Sequence, residues 1–584
     1  MSTKRSGLSL IEVIIAIGLV SLLFGGIYAS YVSIIDVVTN SGVRTEAATV
    51  VANQIEIIRN LAYDQVGTQG GIPSGVLSQV QTVTSTNGLT FTLNTYIRNI
   101  DDPFDGTLGG SPNDTAPNDY KLVELSVRCS SCARSVPLIM TTTVAPKNLE
   151  SGSNDGSLFV NVLDASGVGV LTATIRITNA SVTPSIDLTD TTNASGVLQL
   201  VGAPTSTQGY VITVTKLGYS SERTYAVGDP SNPTPSSQYT HASVVAQTLS
   251  SKTFFIDRLS TTTFKTIDPF CRAVADRPFS LEGQKTIGPN VLKFSSSSAT
   301  DSNGEKVWGG LEWDIYTVNL SGSGYDVLGT MPLSTTFALN PNTVTDFTFV
   351  LTPTDPNSLR ILVQNSSTGA GIPSSTIVLT QSGFSETKVT GRWIVSETNW
   401  SGNNFETQNG DIDPDSVPGS LRLVAGGGGY STTTTGWLTS NALDIGSSTG
   451  SFHALRWNPE SQPGGTTVKF QLASNNDNAT WNFTGPDGTS NTYYTTSGET
   501  INTEHTNHRY IKYRVYMSTT DSGATPTLTD IHIDFSSGCL PPYQVLFQDL
   551  SSGSYTASVS APGYGVTSTS ISVSSGANET TIAL

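Results

Sequence analysis

The chain has 584 residues, too many for one hydrophobic core, so several domains are expected. Only 13% of residues are charged, the net charge is −17 and there is no basic block, which argues against nucleic acid as a partner. The acidity serves solubility, and the abundance of Gly, Ser and Thr suits extracytoplasmic β-modules. Lys4 and Arg5 precede Gly7, and an apolar run from Leu8 to Ile35 follows, with Glu12 as its only charge. A span this long reads as a membrane helix. A secretory signal would have a shorter core with its small-residue cleavage site after it, whereas Gly7 lies before. The apolar period continues through Val50, Val51, Ile55, Ile58 and Leu61, so residues 8–62 are predicted to form one helix of about 80 Å. Its outer half is amphipathic and needs a partner. Alternating strands at 89–96, 122–127 and 140–144 supply one, an antiparallel sheet within 88–145.

The short basic leader, Gly7, Glu12 and the apolar run stand in the register that resembles type IV prepilins and type II secretion pseudopilins. Residues 52–64 resemble the minor members of that family more than the major subunit. The resemblance implies cleavage by a prepilin peptidase between Gly7 and Leu8, and methylation of the new N-terminus at Leu8. Most members have Phe where this chain has Leu8. It also implies that the helix packs in a filament through Glu12. Physics agrees on Glu12: a carboxylate within a bilayer costs several kcal/mol and marks a functional site. The freed amine of a neighbouring subunit is its expected partner.

Residues 145–156 read as a linker, and strands and turns follow to the end. A repeat is visible. Residues 157–162 open one copy and 358–363 another. Tyr210 precedes Gly218 and Tyr219 as Tyr555 precedes Gly563 and Tyr564, eight residues from tyrosine to glycine in both. The copies resemble carboxypeptidase-regulatory-like β-sandwiches, which implies spacers or binding modules without catalysis. The second copy is interrupted near Arg392 and resumes near Pro542, as expected of an insertion at an exposed loop. The insert carries its own core candidates, among them Phe452, Trp457, Phe470, Tyr513 and Val515, and resembles the jelly-roll sandwiches of discoidin-like and carbohydrate-binding modules. The expected organisation is therefore a leader at 1–7, a pilin-like helix and head at 8–145, and a sandwich at 157–258. A β-rich domain of unknown type follows at 262–355. A second, discontinuous sandwich comprises 358–392 plus 540–584, with the jelly-roll-like insert at 393–538. The fold class is multidomain and mainly β, with a long N-terminal transmembrane α-helix, an α+β head and several antiparallel sandwiches.

Four cysteines are present. Cys129 and Cys132 form a CxxC, which suits a redox pair, half a zinc site or a small structural loop. No second CxxC, nearby His or thioredoxin-like βαβ pattern accompanies it, which leaves a structural disulfide or two free thiols. Whether Cys271 pairs with Cys539 is open. Gly446, Ser448 and Gly450 match the nucleophile-elbow spacing, but no helix follows. His505 and His508 lack the spacing of a zinc helix. Asp411, Asp413 and Asp415 imitate a calcium loop, yet the sixth-position glycine is missing and Arg422 stands where the bidentate Glu belongs. No catalytic residue, metal or cofactor is assigned. Tyr493 and Tyr494 are adjacent, so on a strand one must face outward, where it could stack on a sugar. Trp437 and Trp481 admit the same reading, and Trp457 is assigned to the core.

These readings converge on a non-enzymatic minor subunit, at the tip or initiating position of a type IV pilus or type II secretion-like filament. Its β-sandwiches would serve adhesion or surface contact. The expected partners are a prepilin peptidase, other pilins, the inner membrane before assembly, and a glycan or surface protein afterwards. The alternative is a membrane-anchored carbohydrate-binding surface protein outside any filament.

Overall fold

The structure, a computed structural model, describes residues 10–132, 136–147 and 154–584. It is mainly β, with one long apolar helix at its start followed by antiparallel sheets. Contacts divide the chain into two compact units. The first holds residues 1–259 with Thr286–Val291; the second holds Ser260–Lys285 with Leu292–Leu584.

In the first unit, helix α1 (Leu10–Arg59) runs unbroken. Among the described residues it is the one helix long and apolar enough to cross a membrane, by length and composition. Among the described residues the side chains of its first three-fifths are exposed, Leu19, Leu22, Leu23, Phe24 and Ile34 among them. The remainder buries a stripe of Ala47, Val51, Ile55 and Ile58, spaced by three or four residues as one helix face requires. That stripe packs on a four-stranded antiparallel sheet in the order β1 (Val80–Thr84), β2 (Thr90–Ile100), β3 (Tyr120–Cys129), β4 (Leu138–Val144). On β2 and β3 every second residue is buried, and Phe91, Leu93, Ile97, Val123, Leu125 and Val127 meet the helix stripe in one core. Cys129 and Cys132 are joined by a disulfide at the end of β3.

The head is riveted to the sandwich that follows it. Arg98 on β2 grips Asp190 through both carboxylate oxygens, at 2.9 and 2.7 Å, and Asn99 donates to the Val201 carbonyl at 2.9 Å. Asp190 is 5% exposed, so loss of Arg98 would leave a buried charge unpaired.

Three sandwiches share one strand plan. In each, the first strand pairs in parallel with the last: Gly156–Leu163 with Leu249–Phe255, Ser260–Ile267 with Val344–Pro353, and Asn357–Gln364 with Gly576–Ala583. Setting aside the short hairpin Thr286–Gly288/Val291–Leu292 of the middle sandwich and the insert of the last, the second strand of each lies between the third and the fifth on the opposite sheet. The fifth strand carries a buried tyrosine, Tyr210, Tyr316 or Tyr555, whose hydroxyl donates to an upstream carbonyl: Pro204 at 2.6 Å, Glu312 at 2.9 Å and Ser551 at 2.9 Å. Residues 262–355, which sequence reading left without a type, thus repeat the plan of their neighbours. The signal was present: Gly324 and Tyr325 follow Tyr316 at the same eight-residue spacing. All three glycines, Gly218, Gly324 and Gly563, hold a positive φ that a side chain would strain.

In the second unit the last of these sandwiches is interrupted between its third strand, Phe384–Val389, and its fourth, Gln544–Phe547. The intervening residues form their own two-sheet sandwich. One sheet orders Trp393–Glu397, Asp530–Ser536, Ser451–Asn458 and Glu499–Thr500; the other centres on Tyr510–Thr519. Its core is not closed off. Leu328, Val350, Leu540 and Leu546 from the flanking sandwiches belong to the same buried cluster, Phe270 stacks on Phe535 at 5.7 Å, and Cys271 is disulfide-bonded to Cys539.

Candidate functional site

Two surfaces are candidates. The first is the bare part of α1. Gly7 and Leu8 lie outside the described residues. Glu12 lies within α1, but its side chain lies outside what is described. The helix therefore presents a long apolar surface that the chain itself does not cover, ahead of a head that anchors its other end.

The second is the outward face of the insert's larger sheet. On Tyr510–Thr519, the residues Tyr513, Val515 and Met517 point into the core while Lys512, Arg514 and Tyr516 point away. Strand register aligns Trp437 and Lys469 on either side of Tyr516, and Thr439 and Gln471 on either side of Arg514. A loop returns over this face with Trp481, Phe483 and Tyr493. The Arg514 guanidinium lies 4.2 Å from the Phe483 ring and 5.0 Å from Trp437; the Lys469 ammonium lies 3.7 Å from Tyr493; the Lys512 ammonium lies 4.2 Å from Trp481. Each cation over a ring contributes about 0.5–1 kcal/mol where exposed. Tyr493 meets Tyr516 edge-on at 5.1 Å, and the Tyr516 hydroxyl donates to Gln471 at 2.9 Å. Lys512 is neutralised by Glu406 at 2.6 Å, whereas Arg514 donates its Nε to Thr439 at 2.8 Å and has no carboxylate partner among the described residues.

The two adjacent tyrosines lie on no strand, Tyr494 making one isolated bridge to Phe470, yet they divide between the two faces. Tyr493 is half-buried on the outward face. Tyr494 is wholly buried, its hydroxyl accepts the Asn502 N–H at 3.1 Å, and burial pushes it up to about 12; it cannot touch a ligand. Trp437 and Trp481 join Tyr493, and Trp457 lies in the core against Phe470 at 4.8 Å. Sequence reading did not single out Lys469, Phe483 or Arg514. The alternation at 509–516 already puts Lys512, Arg514 and Tyr516 on one face, but Phe483 arrives from a loop whose path no periodicity records.

The other motifs settle into structural work. His505 is buried and burial lowers it to about 4, so it is neutral near pH 7; its Nδ1 and that of His508 both meet the Ser474 hydroxyl, at 2.8 and 2.7 Å. Asp413 accepts the N–H groups of Asp415 and Ser416, and Asp415 that of Gly402, so these carboxylates close turns. Asp101, Asp114 and Asp119, between β2 and β3, each accept one backbone N–H in the same way. Residues 446–450 form a loop followed by a strand, not the helix an elbow needs. Among the described residues, no three His, Cys, Asp or Glu side chains are placed to hold a metal ion.

No protein-family model and no curated protein matches this chain. Solved structures give local similarities. The Bacillus anthracis TIE protein is 12% identical over 54% of this chain and 66% of its own length, just under two thirds, with a TM-score of 0.15. A shaft pilin of Lactobacillus rhamnosus GG is 11% identical over 34% of this chain and 98% of its own, TM-score 0.13. A streptococcal ancillary pilin is 15% identical over 39% and 75%, TM-score 0.18. Scores of this size assign neither fold nor function to this chain.

Proposed function

We infer that this chain is a structural, non-enzymatic subunit of a cell-surface filament. It would be a minor subunit of a type IV pilus or type II secretion-like fibre, at the tip or initiating position. The observation that carries the reading is α1: one continuous helix whose first part is apolar and uncovered while its second part is locked into a sheet-bearing head. Apolar surface on this scale needs a bilayer, or other helices, around it. A prepilin peptidase would release the helix at Gly7 and Leu8, and Glu12 would meet a neighbouring subunit's amine. The sandwiches then project outward, too bulky to repeat at every position of a shaft. Mass spectrometry of the mature N-terminus tests this; a cut after Gly7 is expected, and an intact Met1 or a cut after residue 25 removes the reading.

The second reading is a membrane-anchored surface protein that binds carbohydrate and never enters a filament. The half-exposed rings and cations around Tyr493 and Arg514 favour it. Sheared filament fractions separate the two, because only a filament subunit is enriched in them.

A further inference from the structure

The segment leading into the insert and the segment leading out of it flank a cleft of about 420 Å³ lined by Ser374, Thr390, Arg392, Thr449, His453 and Ser536. Trp393 pairs with Phe535 across the first two strands, so Arg392 and Ser536 arrive side by side. The Arg392 guanidinium is half-buried, and burial lowers its pKa. It has no hydrogen-bonding or ion-pair partner among the described residues. The carboxylate that acts on it, Asp534, also faces Arg456, whose Nε lies 3.6 Å from its Oδ2. Two guanidiniums therefore share one carboxylate, and a positive charge is left over at this spot on a chain of net charge −17. His453 adds none, because burial holds it at about 4, and it is tied to the Ser536 hydroxyl at 2.8 Å. Ser374, which also lines the cleft, is held at φ 54, a left-handed conformation that costs a non-glycine residue energy and recurs where a backbone is shaped for a ligand.

We propose that this cleft binds a uronic acid residue of a surface glycan, with the Arg392 fork on the carboxylate and the hydroxyls of Ser374, Thr449 and Ser536 on the sugar ring. A guanidinium fork matches a planar carboxylate with two parallel hydrogen bonds, a fit that a lysine ammonium does not offer. The volume lies within the range of small-ligand clefts, and the lining mixes the hydroxyls with the apolar faces of Pro373, Leu540 and Pro542. The proposal rests on the reading of the sandwich array as a contact module, not on the filament anchor. A ligand here would bridge both crossings between the insert and its host, and so stiffen their junction.

The test is calorimetric titration of glucuronate into the full chain in detergent micelles, with glucose and inorganic phosphate in parallel. Saturable glucuronate binding at one site is expected, with no glucose binding and weaker phosphate binding. Arg392→Gln should weaken glucuronate at least tenfold and Arg392→Lys by less. Near-UV circular dichroism checks that each variant folds, and Ser536→Ala, expected to weaken binding several-fold, serves as a second variant in the same cleft. Absent glucuronate binding, equal glucose binding, tighter phosphate binding or an affinity indifferent to both Arg392→Gln and Ser536→Ala overturns the proposal. Filament incorporation of R392Q is measured on the same material: normal incorporation with lost glucuronate binding separates the cleft from the anchor.

Discussion

Glu397 sits at the rim of the insert's core. Its Oε2 lies 3.4 Å from the Tyr513 hydroxyl, which in turn accepts the Trp400 indole N–H at 2.6 Å, and Asn404 donates to its Oε1 at 3.2 Å. Burial pushes its carboxyl up to about 7, and the Tyr513 hydrogen bond only partly offsets that. A carboxyl raised in the folded state and ordinary in the unfolded chain takes up a proton on folding between those two values. Its contribution to stability is therefore constant below about pH 4.5, falls as pH rises to about 7, and is constant again above. Glu397→Gln should raise the melting temperature by a few degrees at pH 8 and leave it nearly unchanged at pH 4; equal shifts at both would exclude a titrating origin. Tyr493 and Tyr494 give a second contrast. Tyr494→Ala empties a core position and should cost about 3–5 kcal/mol in denaturant titrations, as large aromatic truncations do. Tyr493→Ala should cost about 1 kcal/mol, since it gives up only a half-buried ring under Lys469. Parity said in advance only that one of these two tyrosines must face outward, not which. The state of Glu397 was illegible, because it depends on burial and on Tyr513, which the fold brings from 116 residues along the chain.

Among the elements, α1 was legible nearly whole, because composition marks its first part and period its second. The structure ends it at Arg59, three residues short of the expected 62, where the chain turns into a short 3-10 turn at Tyr63–Gln65. Its inner stripe carries the testable energy. Ile58 is fully buried against the head sheet, so Ile58→Ala should destabilise the head by about 2–5 kcal/mol, read as a shifted unfolding midpoint. Leu22→Ala, on the bare part, should not move that midpoint. Glu12→Ala should leave membrane insertion intact and impair incorporation into filaments; normal incorporation would remove the proposed pairing. The second of the three sandwiches, Ser260–Pro353, was the element least visible in sequence. Its first strand is threonine-rich, and its aromatic core, Phe264, Phe279, Phe347 and Phe349, hides the apolar alternation that betrayed its neighbours. Its tyrosine keeps the common duty. Tyr316→Phe leaves the Glu312 carbonyl without its donor and should cost about 1–3 kcal/mol, and Tyr555→Phe should cost a comparable amount through Ser551.

At the scale of the molecule, insertion of one sandwich into another suggests independent parts, and sequence reading expected each to hold its own core. Within the second unit each sandwich does hold a buried cluster of its own, but the insert's is not closed off from its neighbours. The insert's buried cluster runs without interruption into Leu328 and Val350 of one flanking sandwich and Leu540 and Leu546 of the other. Phe270 lies against Phe535, and the backbone at Gly446 comes so close to the Phe270 carbonyl that an added Cβ would stand 1.8 Å from its oxygen. The Cys271–Cys539 disulfide spans 268 residues, a loop long enough that its closure should matter in the unfolded chain, by about 5–6 kcal/mol in the chain-entropy picture. Sequence could not show this, since the contact lies between faces that each look self-sufficient when read alone. Excision of residues 393–538 with a short bridging linker keeps Cys539 but strips Phe535 from Phe270 and opens Leu328, Leu540 and Leu546 to water. Each such side chain contributes about 1.5–3 kcal/mol when fully buried. The shortened chain should therefore melt well below the intact one and bind a hydrophobic dye before its main transition. Val307, already exposed in its own sandwich, supplies the control: Val307→Ser should change neither property. A shortened chain that melts cooperatively at the original temperature, with no dye bound, would show that the junction is a seam rather than a shared core.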